Sequence, residues 1–250
     1  MSRTAKIVLA IVGVVVLGVL GVYGFLLFVK DDGPAALDQG DLDQALVTTT
    51  VAGGTDASPT TIAGPTTTDA AAPAGLAGSW TINADSVVGY RVQEVLGGVD
   101  TEGVGRTSKV TGTLALDGDD TALTLTTATF EVDMASVTSD SDRRDGQYRS
   151  RIMSTDEFPT STFTLTAPIE LGAAPAEGAT VEATATGDLT LRGVTRSVTF
   201  PLTAKLEGGR IGVLGSIPIL FSEYEIPPPS NSFAIVKDDG LLEFVLVFER

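Results

Sequence analysis

The sequence predicts an all-β fold: an antiparallel β-barrel of about eight strands with a short helical segment, preceded by one transmembrane helix and a disordered linker. Three observations support this prediction. Residues 7–29 form an uncharged apolar run, residues 30–78 are rich in Asp, Thr, Ala and Pro, and apolar residues alternate with polar ones from Ser79 onward. Many alternating segments separated by turn residues, without helical spacers, are typical of a β-sandwich or a barrel.

The apolar run at residues 7–29 is long enough to cross a bilayer as a helix. At ~1.5 Å per residue it spans about 34 Å, and the hydrocarbon core measures ~30 Å. A cleaved signal peptide is the alternative, but its apolar region is typically only about 7–15 residues long. Because Arg3 and Lys6 precede the run, residues 1–6 are predicted to be cytoplasmic. The chain after the run is then extracytoplasmic, in the cell envelope, and the run is an uncleaved, single-pass signal anchor.

Residues 30–78 are predicted to be a disordered linker. After Lys30 the segment has no Lys or Arg, and large apolar residues are scarce. Such a segment cannot bury enough apolar surface to offset its conformational entropy. An r.m.s. length of about 35–40 Å would keep the following domain, residues 79–250, near the membrane.

The most regular alternation surrounds the Arg192-Gly193 pair. Leu189 and Leu191 precede the pair, Val198 and Phe200 follow it, and their spacing places these four side chains on one face of two antiparallel strands. This pattern predicts a β-hairpin with a tight turn at Arg192-Gly193.

The other strands are predicted at residues 80–82, 88–92, 110–116, 121–134, 163–165, 181–186, 211–221 and 241–248. In the run from Thr121 to Met134 the apolar residues change parity at Thr126-Thr127, which predicts a one-residue β-bulge. The last strand is apolar on both faces from Phe244 to Phe248, so both faces should be covered. Long strands of this kind favour a barrel over a sandwich, and a barrel of about eight strands can enclose a small ligand.

Composition excludes several classes of function. The formal net charge of −16 argues against a nucleic-acid partner, because phosphates would be repelled. The chain has no Cys and no His, so it lacks the usual general base and the commonest transition-metal ligands. No other nucleophile has an identifiable base beside it. No catalytic residue and no metal site are therefore predicted, and the protein is not expected to be an enzyme.

Four segments in order resemble the motifs of one known family. Their sequences are SWTI with SVVGYRV (residues 79–82 and 86–92), RDGQYRS (144–150), FPTSTF (158–163) and GDLTLRGVTR (187–196). Together they resemble the YceI-like family of extracytoplasmic polyisoprenoid-binding proteins. The resemblance covers residues 79–250 and implies an extended, lipocalin-like barrel whose apolar tunnel binds an isoprenoid chain without catalysis.

Two departures from the family pattern concern the end of the tunnel that receives a head group. The two family histidines are absent, and Gln147 stands in the second position. An Asn-Arg-x-Asp-Phe-Gly pattern is replaced by residues 222–226. The mouth of the cavity is therefore expected to differ from that of typical members.

The alternating apolar faces supply the residues predicted to line the cavity: Tyr90, Val92, Phe130, Val132, Phe163, Leu165, Leu189, Leu191, Val198 and Phe200. Arg144, Arg149 and Arg196 are candidate contacts for a phosphate or quinone head group. The alternatives are a short helix with acidic neighbours for Arg144 and Arg149, and a solvated strand-end cation for Arg196.

The sequence thus predicts a membrane-anchored lipid-binding protein that holds a long isoprenoid, either a prenyl quinone or a polyprenyl chain, and no other cofactor. Burial of the chain in the barrel would supply roughly 0.8 kcal/mol per methylene. The alternative is an envelope protein-interaction or tethering module with a filled core and no ligand. The oligomeric state is left open by the sequence.

Overall fold

The computed structural model describes residues 33–47, 75–227, 230 and 234–250. The predicted anchor at residues 7–29 and most of the predicted linker lie outside these residues. In the described parts of the chain, no helix combines the length and the apolarity that crossing a bilayer requires.

The described residues form two α-helices and thirteen β-strands. The helices are α1 (Gln39–Leu46) and α2 (Asp142–Gln147), and α2 continues into a π-helical turn, Tyr148–Ile152. The strands are β1 (Gly78–Ile82), β2 (Val87–Leu96), β3 (Val99–Thr107), β4 (Val110–Asp119), β5 (Ala122–Asp133), β6 (Thr138–Ser139), β7 (Thr160–Leu165), β8 (Ile169–Gly172), β9 (Thr180–Leu191), β10 (Val194–Glu207), β11 (Arg210–Leu220), β12 (Ala234–Val236) and β13 (Asp239–Glu249). Short 3₁₀ turns occupy Met134–Ser136 and Phe221–Tyr224.

Eight antiparallel strands close into a barrel in the order β1, β4, β5, β7, β9, β10, β11, β13, and β13 pairs back with β1. At one end β2 continues alongside β13, with Arg91 opposite Leu241, and β3 pairs with β2. The predicted all-β fold, its closed antiparallel barrel and its short helical segment are confirmed.

The β9–β10 hairpin has the predicted turn. Leu191 lies opposite Val194, and Arg192 and Gly193 both have left-handed backbone angles, with φ of 48° and 76°. A Cβ atom at Gly193 would lie 2.6 Å from the Phe158 ring. Glycine is therefore required here for two reasons: the left-handed backbone of the turn and the close approach of this ring.

The predicted bulge in β5 is confirmed at Thr126. Ala115 pairs with Thr127 and Leu116 pairs with Leu125, which leaves Thr126 without an opposite residue. The extra residue turns the side chains after the bulge back to the inward face of the strand. Leu123 and Ala128 are therefore both buried, although one has an odd and the other an even residue number.

Both faces of β13 are covered, as predicted. Phe248 and Leu246 lie inside the barrel in the core cluster that contains Trp80. On the outside, Val245 and Val247 pack in a separate cluster with two leucines of α1.

The prediction of disorder throughout residues 30–78 is wrong for residues 33–47, which lie on the outer wall of the barrel. The Asp38 side chain caps α1 by accepting from the amides of Gly40 and Asp41, and the Asp41 side chain accepts from the Asp38 amide in return. Leu42 and Leu46, one helical turn apart, are fully buried against the wall. Two leucines are enough to hold this helix in place, because they pack against an apolar surface that the barrel already provides.

Candidate ligand-binding cavity

The barrel interior contains three cavities that follow one another along its length. The mouth cavity has a volume of about 400 Å³, the middle cavity about 120 Å³ and the inner cavity about 100 Å³. Tyr90, Tyr148 and Leu191 line both the mouth and the middle cavities. Phe130 and Phe163 line both the middle and the inner cavities. The interior is therefore one elongated apolar space that side chains divide into three.

Aromatic rings contribute to both divisions. The rings of Tyr90 and Tyr148 stack with centroids 5.3 Å apart between the mouth and middle cavities. Further in, the Phe163 ring stacks on Phe130 at 5.9 Å and meets the edge of Phe200 at 5.5 Å. Both divisions consist of side chains and not of backbone, so a change of side-chain rotamer is the movement that would join the cavities.

The formal charges at the mouth cavity cancel, because the lining residues Arg143 and Arg144 are balanced by Glu94 and the adjacent Asp140. An Arg144 Nη donates to the Glu94 carboxylate at 3.0 Å, and the other Nη contacts the Asp140 carboxylate. Burial disfavours the charged guanidinium, but these two carboxylates outweigh burial and raise the pKa of Arg144. Ser141 and Gln147 add uncharged hydrogen-bonding groups to the same wall.

Two tyrosines lie between this polar wall and the middle cavity. Burial raises the pKa of Tyr90 to about 12 and outweighs the opposing charge of Arg144. Burial also raises the pKa of Tyr148, whose hydroxyl lies 4.0 Å from the Met134 sulfur. Both phenols therefore remain protonated at neutral pH, which makes this part of the interior suitable for an apolar chain.

Most of the residues predicted to line a cavity do so. Tyr90, Val92 and Leu191 line the mouth cavity, Val132 and Leu189 the middle cavity, and Leu165 the inner cavity, with Phe130, Phe163 and Phe200 shared by the last two. Val198 packs against the same core cluster but lines none of these three cavities. That these residues bind a ligand stays a prediction.

The three predicted head-group arginines are in different places. Arg144 lines the mouth cavity and is ion-paired. Arg149 is half-buried in the π-helical turn and donates to the Val137 carbonyl at 3.4 Å. Arg196 is exposed on β10 and donates to the Thr195 carbonyl at 3.2 Å. Only Arg144 of the three lines any of these cavities, and residues 142–147 form the short helix that was the alternative reading of this segment.

Several residues of the mouth cavity were not predicted: Glu94, Met134, Ser141, Gln147, Ile152, Met153, Ile219, Phe221, Ile226 and Val236. For Glu94 a signal was present, because it continues the even-numbered inward face of Tyr90 and Val92 along β2. Ser141 and Gln147 belong to the segment around α2, where no strand alternation indicates which side chains point inward.

Comparisons with known proteins agree with this architecture. The family model described as YceI-like domain matches residues 80–248. The crystal structure of Burkholderia cenocepacia BcnA is similar with a TM-score of 0.50 and 25% identity, over 66% of this chain and 96% of that chain. A Saccharophagus degradans domain, described as a polyisoprenoid binding domain implicated in plant cell wall breakdown, has a similar fold with a TM-score of 0.53 and 17% identity, over 70% of this chain and 99% of that chain. No curated protein matches the chain.

The matched residues include the β9–β10 hairpin, the bulged strand β5 and the strands that surround the three cavities. The family match extends over more than half of the chain, and its ends coincide with the first and last strands of the closed barrel. The chain therefore belongs to the YceI-like domain family.

Proposed function

We propose that this protein binds a long prenyl lipid in its barrel, outside the cytoplasm, and that residues 7–29 anchor it to the cell membrane. The observation that carries the proposal is the line of three largely apolar cavities separated by aromatic and aliphatic side chains. The mouth cavity alone, at about 400 Å³, is within the ~300–1,000 Å³ range of small-molecule sites. A filled-core tethering module, the alternative function, has no use for such a space.

The shape of the space favours a chain over a compact ligand. A lipid entering at the exposed Arg143 would pass Tyr90 and Tyr148 and then reach the phenylalanine rings deeper in the barrel. Burial of ten methylene-sized groups from water would contribute about 8 kcal/mol. A bilayer offers the same chain a similarly apolar environment, so exchange between membrane and barrel would be close to neutral in free energy and therefore reversible.

The mouth favours an uncharged head group. Arg144 is neutralised by Glu94 and Asp140, whereas Ser141 and Gln147 can donate to carbonyl or hydroxyl oxygens. A prenyl quinone or a prenyl alcohol fits these groups better than a pyrophosphate does. The choice of an isoprenoid chain is supported by the family and by the description of the Saccharophagus degradans domain as polyisoprenoid-binding.

The test is the lipid content of the purified protein. The full chain would be purified from membranes, and the lipids bound to it would be extracted with organic solvent and quantified by mass spectrometry. The proposal predicts about one prenyl lipid per protein, strongly enriched over the lipids of the bulk membrane. A lipid profile equal to that of the bulk membrane, with no enrichment of prenyl lipids after incubation with prenyl quinone, would overturn it.

A further inference from the structure

Residues 33–47, named here the strap, connect the predicted membrane anchor to the barrel wall. At the start of the strap, an Arg91 Nη donates to the Pro34 carbonyl at 2.7 Å, and an Arg106 Nη donates to the Ala35 carbonyl. The Leu37 amide donates to the Glu243 carboxylate at 3.4 Å. The strap is thus fixed to the wall by polar groups before α1 begins.

The remainder of the strap is held by both apolar and polar contacts. Leu42 and Leu46 occupy the space above Gly212, where a Cβ atom would lie 2.6 Å from the Leu42 side chain. The Lys205 Nζ lies 2.9 Å from the Asp43 carboxylate, and Arg210 donates to the Ala45 carbonyl at 3.2 Å. A segment held at so many points has a defined direction along the barrel.

That direction places the start of the strap at the level of the mouth cavity. Arg91, which binds Pro34, lies opposite Leu241, and Leu241 lines the mouth cavity. The end of the strap contacts Arg210, which opposes Glu207 beside the β10–β11 turn at the far end of the barrel. The chain therefore leaves the barrel wall, toward residue 32, near the mouth.

The distance to the predicted anchor is short. Residues 30–32 separate the apolar run from Gly33, and four extended steps reach at most about 14 Å. The far end of the barrel is more distant, because the eight steps of β13 from Leu241 to Glu249 cover about 26 Å, or about 20 Å along the axis of a barrel with a ~40° strand tilt. If the far end of the barrel faced the bilayer, the connection would have to cover about 20 Å from the level of the mouth, which is more than its maximum of about 14 Å.

The rim of the mouth also has exposed apolar side chains. Ile235 on β12 is 63% exposed and its strand pairs with β2 at Val95, and Leu220 at the end of β11 is 47% exposed. Exposed charges of both signs surround these side chains: Glu223 and Glu225 lie in and just after the adjoining 3₁₀ turn, Arg143 lines the mouth, and Lys237 follows β12. The rim therefore fits contact with the apolar boundary of a weakly charged bilayer.

We propose that the strap holds the barrel with its mouth on the membrane surface, so that a prenyl lipid passes between bilayer and cavity without crossing water. The inference rests on the proposed function, since it requires the anchor at residues 7–29 and a membrane lipid as ligand. This arrangement differs from a flexible tether. Residues 33–47 are fixed to the barrel wall, so only the short connection before them is left to let the barrel rotate relative to the membrane.

The test uses the absence of cysteine from the natural sequence. A single cysteine is introduced into the full chain at the rim (Ile235→Cys) or at the exposed Ala173 near the far end (Ala173→Cys), and a fluorophore is attached. The chains are reconstituted into phosphatidylcholine vesicles that contain lipids with a nitroxide quencher in the head-group region. We expect quenching several-fold stronger for the label at residue 235 than for the label at residue 173.

Release of the strap should abolish this difference. Leu42→Asp places a charge in the buried α1 interface, and Gln44→Asp places the same charge on the exposed face of the same helix. The first variant should make the two labels equally accessible, and the second should leave the difference intact. Equal or reversed quenching in the natural strap, or the same result for both variants, would overturn the proposal.

The same vesicles separate this inference from the proposed function. If the full chain does not sediment with the vesicles, the anchor is wrong and the orientation proposal fails with it. If the chain sediments and the label at residue 235 is quenched preferentially, but no prenyl lipid is enriched in its extract, the orientation is supported and the lipid-binding function fails alone.

Discussion

Leu191→Trp is the most informative change in the cavity wall. Leu191 is 3% exposed and lines both the mouth and the middle cavities, so a larger side chain there extends into space that the structure leaves empty. Tryptophan has about six more side-chain heavy atoms than leucine, and it would displace about four to six carbons of a bound chain. At roughly 0.8 kcal/mol each, the lost burial is about 3–5 kcal/mol. We therefore expect the affinity for a prenyl lipid to fall about 10²- to 4 × 10³-fold.

The folded protein should tolerate this change. Overpacking a filled core costs about 1–3 kcal/mol, but here the indole enters an existing cavity, so the thermal unfolding midpoint should change little. The matched control is Val47→Trp, because Val47 is 64% exposed on the strap, away from the interior. Binding of a fluorescent farnesyl probe, measured by polarisation, and the unfolding midpoint would be compared for the two variants. Equal probe affinity in both, with equal unfolding midpoints, would refute the assignment of this space to a lipid chain.

Three further predictions concern charged and titratable groups. Glu243→Ala should lower the free energy of unfolding in urea by up to about 3–5 kcal/mol, because it removes the carboxylate paired with the partly buried Arg106 and one of the two paired with the buried Arg91, which keeps Glu102. A loss no larger than that of the exposed control Glu249→Ala would contradict this. Burial raises the pKa of Tyr90 from its usual 10.0 to about 12, so the stability that its neutral phenol contributes is complete below pH 10 and is lost as the pH rises to about 12. Tyr90→Phe should therefore lose less stability than the natural protein between pH 10 and 12. Identical pH profiles of the unfolding midpoint for the two proteins would contradict this. Glu94→Gln should increase the affinity for a prenyl phosphate several-fold relative to a prenyl alcohol, because it removes a carboxylate that neutralises Arg144; competition against the farnesyl probe measures the ratio, and an unchanged ratio would exclude this role.

The barrel strands could be predicted because alternation reports directly which side chains point inward. At Thr126 even a defect in the alternation was informative, since only an extra residue could bring both halves of β5 to the same face. The hairpin at Arg192-Gly193 was predictable for the same reason, with the turn residues as independent support.

Strand β3 could not be predicted because its inward positions do not look apolar. Gly103 and Gly105 lie beneath side chains from other elements: a Cβ atom at Gly105 would lie 2.4 Å from the Tyr90 ring, and one at Gly103 would lie 3.2 Å from the Arg144 guanidinium. The glycines leave room for these larger residues, and this reason exists only in the folded barrel.

The strap was missed because its composition is acidic and polar. The capping pair Asp38 and Asp41 and the leucines at positions 42 and 46 are a helix signal, but a single turn of apolar contact does not stabilise an isolated helix. The stabilising surface is the outer face of β13, whose own sequence showed only that something must cover Val245 and Val247.

The candidate site was predicted in its apolar part and less well at its mouth. Side chains on regular strands, such as Phe163 and Leu191, were placed by their parity. The mouth depends on α2 and the π-helical turn, where the direction of Gln147 or Arg149 follows from helix packing that no strand pattern records.

The central claim is that the three cavities are one path for a lipid chain, and a crystal structure of the protein loaded with a bromine-labelled prenyl lipid tests it most directly. The claim predicts anomalous bromine density inside the barrel, with the chain passing Tyr90 and Tyr148 and the ring of Phe163 turned aside. Bromine density confined to the outer surface, or three cavities that stay empty at saturating lipid, would contradict it.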